Sequence, residues 1–226
     1  DLHLSIRRQR QMCIRDSIWN PNMRNWGYKN IDGAMALIDS YGRLVYDLET
    51  LIAQGLSAAV YTQTTDVEGE VNGLITYDRK VTKIPEGLLH LMHNRLYEIT
   101  PAKAVTLIAD GQNGSKNTRL VSLNGQELKM TSLPFDCPPR STVVSEATFK
   151  VDKDFNYLSL WLNVAGEAKV WLNGVEVFAQ EAKQTRQYNQ YNISDYSRYL
   201  RKGSNLLKIE VKDSKKMRFD YGLRAY

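Results

Sequence analysis

The chain has 226 residues, 42% of them apolar, and a formal net charge of +5. Its length suffices for one large domain or two smaller ones, and its composition is that of a globular protein rather than a disordered one. The basic residues are scattered without a nucleic-acid-binding motif, and no apolar run could span a bilayer, so we expect neither a nucleic-acid partner nor a membrane span. The spacing of Cys13 and Cys137 indicates no metal site and no disulfide framework, which leaves the redox compartment open.

The first 17 residues differ in character from the rest of the chain. Residues 7–17, RRQRQMCIRDS, show no periodicity, no cap and no turn chemistry. They resemble translated adaptor sequence of the kind found at the ends of metagenomic genes, so we interpret 1–17 as a non-native segment outside the fold. The alternative is a disordered basic arm. The basic stretch is not followed by the apolar region of a signal peptide.

An amphipathic helix is predicted from Asp32 to Gly55. Apolar residues between these positions recur at the three-and-four spacing of one helix face, and Gly55 supplies a C-terminal stop. The run LSAAVYTQ, residues 56–63, suits a strand buried on both faces. A second helix is predicted over 85–100, because proline is favoured in a first helical turn and the next proline disfavours helix before it. This order is typical of the last repeats of an α/β barrel.

A single parallel strand with two helices cannot satisfy its own backbone groups, because each edge of the strand needs a neighbour. We therefore expect residues 18–101 to be a piece of a domain whose remainder lies upstream.

After Pro101 the hydrophobic period changes from 3.6 to 2. Frequent turns between short strands indicate a β-sandwich, and Asn173-Gly174 is a strong hairpin signal. We expect the sandwich over 143–226, with 102–142 as connecting strands and a linker that contains the proline-rich bend DCPPR. Strands are predicted at 104–110, 118–123, 143–151, 157–164, 168–173, 175–178 and 205–212.

The stretch TTDVEGEVNG carries three carboxylates at alternate positions. In an extended chain Asp66, Glu68 and Glu70 would line one face. We favour a substrate-facing role for at least one of them. The alternatives are turn capping or pairing with Arg79 and Lys80, and a Ca²⁺ site, although the spacing is not that of an EF-hand.

Other polar and aromatic residues have ordinary structural explanations. His90 and His93 are spaced like a metal pair on a helix, but no third ligand is apparent, so no metal site is predicted. Trp161 and Trp171 alternate with leucines, and we expect at least one of them in the core. The stretch QTRQYNQYN, 184–192, could bind a sugar or form a solvated connection, and we favour the connection.

Two long stretches resemble the end of the catalytic barrel in glycoside hydrolase family 2-type enzymes, the β-galactosidase-like and β-glucuronidase-like proteins. These are WNPNMRNWGYKN, 19–30, and GLSAAVYTQTTDVEGEVNGLITYDRKVTKI, 55–84. The tail, with LSLWLNVAGEAKVWLNGVEVF, YNISDYSRYLRKGSNLLKIEV and FDYGLRAY, is similar in pattern to their galactose-binding-like jelly-roll modules. The resemblance implies a fold class of α/β plus all-β: the last βα elements of an incomplete TIM barrel followed by a jelly-roll β-sandwich.

Enzymes of this type are retaining glycosidases that use two glutamates roughly 5 Å apart. Both lie before the segment that corresponds to Trp19, so the resemblance assigns no catalytic residue to this chain, and it implies no cofactor and no metal. It does imply that 58–63 is the eighth barrel strand and that the loop after it faces the substrate. The substrate-binding candidates are then Gln63, Thr65, Asp66 and Glu68, with Trp19, Trp26 and Tyr28 as a stacking wall for a pyranose ring.

The sequence thus predicts the C-terminal part of a retaining β-glycosidase that acts on a carbohydrate substrate and is inactive without the N-terminal part of the same chain. The resemblance implies a secreted or periplasmic location. The alternative function is a non-catalytic carbohydrate-binding protein whose working part is the sandwich.

Overall fold

The chain divides into two compact units, residues 1–100 and 101–226. The described part is mostly antiparallel sheet with few helices, and none of the helices found there is long and apolar enough to cross a membrane. The computed structural model describes residues 31, 33–111, 118–128, 133–182, 188–213 and 217–226.

The first unit contains two α-helices joined by a long irregular segment. Helix α1 spans Ala34–Ala53 and helix α2 spans Glu86–Tyr97, as the amphipathic pattern and Pro85 predicted. The same three-and-four spacing that identified α1 places one of its faces in a small apolar core. That core consists of Ile31, Leu37, Tyr41, Val45 and Ile84.

The strand predicted over 56–63 is not formed within the described residues. Ser57 to Val60 are exposed, and the side chain of Val60 is 78% exposed. The backbone groups of 58–60 make no backbone hydrogen bond to any described residue. An extended segment becomes a buried strand only when a neighbour satisfies its backbone, and the described part of this unit contains none. The α/β barrel therefore stays a prediction.

The second unit contains two antiparallel sheets. The larger sheet has the order β3–β2–β5–β10–β7–β8, and the smaller has the order β1–β11–β6–β9 with β4 paired to β11. The described strands are β1 Val105–Ile108, β2 Thr118–Leu123, β3 Gln126–Glu127, β4 Phe135–Cys137, β5 Ser141–Val151, β6 Leu158–Asn163, β7 Glu167–Leu172, β8 Val175–Gln180, β9 Asn189–Asn192, β10 Gly203–Asp213 and β11 Met217–Ala225. A 3₁₀ helix, Ser194–Tyr199, follows β9.

Inward side chains of both sheets form one hydrophobic core, which is the arrangement of a β-sandwich. Strand β5 shows the underlying pattern, since every second residue from Ser141 to Val151 is buried. A polar contact crosses this core: the Tyr221 hydroxyl lies 2.9 Å from Ser145 Oγ. Ser145 Oγ in turn donates to the Arg119 carbonyl oxygen at 2.8 Å, so both buried hydroxyls are satisfied.

The boundary expected at 143 requires correction, because residues 102–142 contribute strands to both sheets. Strand β1 pairs with β11, and β2 pairs with β5 from Thr118↔Ala147 to Leu123↔Val143. The proline-rich bend also follows directly on a strand, since Cys137 ends β4 and is fully buried. The alternation had predicted β1 and β2 as strands, but a local pattern does not show which distant strands they pair with, and that pairing places them in the two sheets.

The turn at Asn173-Gly174 is confirmed, but the expected burial of a tryptophan is not. Asn173 and Gly174 have φ of 51° and 89°, as a tight two-residue hairpin requires. Trp161 and Trp171 are both half-buried and lie outside the core. Each alternates with a leucine that points inward, so strand geometry turns the tryptophan to the outer face.

Candidate functional site

The loop 63–84 is organised around a buried ion pair. Lys83 Nζ donates to Asp66 Oδ1 at 2.6 Å, and each side chain is only 1% exposed. The same ammonium group donates to the Val71 carbonyl oxygen at 3.0 Å. The Gly73 amide also donates to Asp66 Oδ1, at 2.8 Å. Asp66 thus ties together three parts of the loop that are up to 17 residues apart in sequence.

The protonation of Asp66 is governed by competing effects. Burial raises the pKa of this carboxyl group above its ordinary value, while the Lys83 ammonium and the Gly73 amide oppose that rise. Asp66 Oδ2 is buried and has no hydrogen-bond partner among the described residues. The cost of burying the Asp66 charge is therefore offset through one carboxylate oxygen and by one cation. The stability of the loop consequently depends on Lys83.

The three carboxylates do not line one face, which corrects the prediction. Val67 and Glu70 exchange two backbone hydrogen bonds of 3.0 and 2.9 Å around a turn. Glu68 occupies that turn with φ of 51° and is exposed. Asp66 points inward instead, and Glu70 is half-buried. An extended chain would have aligned these side chains, but the Glu68-Gly69 turn breaks the alternation.

Amide and carboxylate groups form a second cluster at the start of the loop. Gln63 Nε2 donates to Asn72 Oδ1 at 2.9 Å and to the Glu70 carbonyl oxygen at 3.3 Å. Asn72 Nδ2 donates to Glu70 Oε1 at 3.0 Å. Thr65 is half-buried and pairs its backbone with Ile75. The structure brings Gln63 close to Asn72 and Glu70, and it places Thr65 and Asp66 in the same loop.

The other candidates have different outcomes. Trp19, Trp26 and Tyr28 lie outside the described residues. The sequence analysis considered Arg79 and Lys80 as partners of the three carboxylates. Asp66 pairs with Lys83 instead, and the exposed Lys80 Nζ lies 3.5 Å from Asp78 Oδ2. Sequence reasoning missed Lys83, because lysine is almost never fully buried unless it is paired, and no local pattern shows its pairing with Asp66.

No metal site is found in the part of the chain that the structure describes. No three His, Cys, Asp or Glu side chains there are grouped as a metal ion would require, and this includes the Ca²⁺ alternative at Asp66, Glu68 and Glu70. His93 Nε2 lies 2.7 Å from the Tyr41 hydroxyl, an ordinary structural contact, and His90 is exposed.

The sandwich contains a buried acidic group beside the loop 184–192, of which 188–192 are described. Asp220 is fully buried and accepts hydrogen bonds from the Tyr188 hydroxyl, from the Gly111 amide at 2.7 Å and from the Tyr221 amide at 2.9 Å. Burial raises the pKa of Asp220. This part of the loop packs on the sandwich, while its sugar-binding role stays untested.

Two sandwich tyrosines should resist ionisation. Burial is the first cause that raises the pKa of Tyr188 and Tyr221, and the Asp220 carboxylate adds to both shifts. Because the pKa of an unfolded tyrosine is about 10, the stability contributed by these protonated phenols is complete below that pH and is lost as the pH rises further.

In a titration followed at 295 nm, we expect Tyr188 and Tyr221 to ionise only on unfolding. The Tyr221→Phe variant should remove one tyrosine from the delayed phase, and the urea-unfolded chain should show no delayed phase. Full ionisation of all 13 tyrosines in the folded chain would contradict this.

Comparison with known proteins gives distant structural likenesses only. No protein-family model and no curated protein matches the chain. An FMN-binding β-glucuronidase from Facaelibacterium prausnitzii L2-6 has a TM-score of 0.38 at 17% identity over 54% of this chain and 22% of its own. The Ruminococcus gnavus β-glucuronidase with uronic isofagomine has a TM-score of 0.39 at 10% identity over 54% and 28%. A β-D-mannosidase from Dictyoglomus thermophilum has a TM-score of 0.35 at 12% identity over 49% and 16%. The chain thus spans less than a third of these glycosidases.

Proposed function

We propose that this chain is the C-terminal part of a retaining β-glycosidase of the glycoside hydrolase family 2 type, which hydrolyses O-glycosidic bonds. Residues 18–101 would complete a TIM barrel whose other strands, with both catalytic glutamates, belong to an upstream part of the same polypeptide. The sandwich would be its galactose-binding-like jelly-roll module. The complete protein would work in a secreted or periplasmic location.

The observation that supports this proposal is the anchored loop 63–84. The buried pair of Asp66 and Lys83 fixes its shape. Shortly before the loop, residues 57–60 are exposed, and the backbone groups of 58–60 make no backbone hydrogen bond to a described residue, as expected of a strand separated from its neighbours. A carbohydrate site needs polar groups held in place by a rigid support. This loop combines the two requirements.

Each loop residue would have a distinct role. Gln63 and the exposed Glu68 would bond sugar hydroxyls, because an amide both donates and accepts and a carboxylate can accept from two neighbouring hydroxyls. Thr65 would add a hydroxyl contact. Asp66 is too buried to reach a substrate, so its role would be to position the others. Trp19, Trp26 and Tyr28 would supply the stacking wall.

The test combines an assay with the coding DNA. The chain by itself should release no product from a panel of aryl β-glycosides, because both glutamates of the proposed retaining site would lie in the upstream part of the polypeptide. The DNA read upstream of Ile18 should continue into a strand that ends in glutamate, and the product of that longer gene should hydrolyse at least one of the glycosides. Turnover by the present chain, or an in-frame start codon directly before residues 7–17, would contradict the proposal.

A further inference from the structure

A groove of about 520 Å³ in the first unit is lined by helix α1, by the segment 56–62 and by the end of helix α2. Leu44 and Leu48 line it one turn apart on α1, and both are half-buried. Val60 and Tyr97 also line it, and they are 78% and 88% exposed. A groove whose large apolar side chains are left in contact with solvent marks a surface that another chain can cover.

The lining of this groove carries no formal charge among the described residues. Charged residues make up 24% of the chain, yet none of the fifteen described residues that line the groove is Asp, Glu, Lys or Arg. The buried centre of a protein–protein interface is depleted in charge in the same way. When two copies of one surface meet about a two-fold axis, a charge near the axis faces its own copy. An uncharged lining avoids that repulsion.

The backbone beside the groove is also unpaired. Residues 58–60 are exposed, and their backbone groups make no backbone hydrogen bond to any described residue. Natural proteins protect such an edge with charged side chains or proline, because unpaired backbone groups are a template for pairing with another chain. The segment 56–62, LSAAVYT, contains neither a charged residue nor a proline. This edge is therefore open to a second strand.

A second copy of this chain supplies the partner that the groove and the edge both require. When the two segments run antiparallel about a two-fold axis at Ala59, Ala58 of each copy lies opposite Val60 of the other. The free backbone groups of 58–60 then pair across the axis. The alanine side chains are small, so the two backbones can approach to the spacing of a sheet. Each copy also covers the uncharged groove of the other.

We propose that this groove and the segment 56–62 form the interface of a symmetric dimer of this chain, in which the two segments pair as antiparallel strands. The fifteen described lining residues are fewer than the roughly 20–30 residues a side of a standard interface. The dimer is therefore weak, with a Kd on the order of micromolar. The upstream strands of the proposed glycosidase would take the same edge, so the two occupants exclude each other.

The experiment is analytical ultracentrifugation of the full chain from about 1 to about 100 µM, which brackets a micromolar Kd. We expect the mass to rise from 25.9 kDa towards twice that value. Val60→Lys places two like charges beside the two-fold axis and should raise the Kd at least about tenfold. The matched control Val81→Lys adds the same charge at a 49% exposed valine outside the groove and should leave the Kd unchanged.

Hydrogen exchange of the parent chain tests the same contact without a variant. Peptides that cover 57–62 should exchange more slowly at the highest concentration than at the lowest, because pairing protects their amides. Peptides from β5 should exchange equally at both concentrations.

Three results would overturn the proposal. The first is a mass that stays at 25.9 kDa at every concentration. The second is a dimer that Val60→Lys and Val81→Lys affect equally, because its interface would then lie elsewhere. The third is a mass that rises beyond that of a dimer, because a two-fold contact closes at two copies. None of these results bears on the glycosidase assay, so the dimer and the proposed function can fail separately.

Discussion

Replacing Lys83 with methionine should lower the free energy of opening of the loop 63–84 by about 3–5 kcal/mol, because the variant leaves the Asp66 carboxylate buried without its cation. Hydrogen exchange of the peptides that cover the loop, measured by mass spectrometry, reports this free energy directly. Peptides from β5 and β10 should exchange as in the parent chain, because they belong to the other unit. An effect of less than about 1 kcal/mol would show that the pair does not hold the loop.

Two variants control this experiment. Lys80→Met removes the same residue type from an exposed pair with Asp78, whose side chains are 81% and 44% exposed, and should change the opening free energy by less than about 1 kcal/mol. The double variant Asp66→Asn/Lys83→Met removes both charges and should be more stable than Lys83→Met alone.

The decrease in the opening free energy of the loop caused by Lys83→Met should also depend on pH. Burial already raises the pKa of Asp66, and removing the ammonium group, which lowers it, should raise the pKa further. A folded-state pKa above the unfolded value of about 3.9 means that the protonated form is the stabilised one. The variant should therefore be closest to the parent below about pH 4 and should lose stability as the pH rises toward 7. The opposite slope would contradict this assignment.

Replacing Gly73 with alanine should destabilise the same loop by about 3 kcal/mol or more. A Cβ atom at this position would lie 2.4 Å from both the Asp66 amide nitrogen and the Thr65 carbonyl carbon. These are backbone atoms, so the chain itself must move, and the movement would break the hydrogen bond from the Gly73 amide to Asp66. The loop peptides should then exchange faster at all pH values.

The matched control is Gly87→Ala in helix α2. A Cβ atom at Gly87 would meet no atom within 4 Å, and alanine is favoured over glycine in a helix by up to about 1 kcal/mol. The control should therefore be neutral or slightly stabilising. If Gly73→Ala and Gly87→Ala had the same effect on stability in the hydrogen-exchange measurement, Gly73 would not be confined by Asp66.

The sequence by itself determined those helices, strands and turns that a pattern among neighbouring residues predicts. Helix α1 follows from its three-and-four spacing, helix α2 from Pro85, the strands β5 and β10 from alternation, and the hairpin at Asn173 from its turn chemistry. Each of these signals is contained within a few neighbouring residues, where propensity and periodicity act. The change of period after Pro101 likewise marks the point at which the chain divides into two units.

Only the tertiary structure decided which distant residues meet. It paired Asp66 with Lys83 rather than with Arg79 or Lys80, turned Trp161 outward beneath Arg224, and placed strands from 102–142 in both sheets. These contacts depend on long-range packing and on how a turn redirects the chain, and no local pattern encodes either. Alternation placed three carboxylates on one face, but a single turn at Glu68 buried one, exposed another and left the third half-buried. The chemistry of the loop therefore depends on that turn more than on its composition.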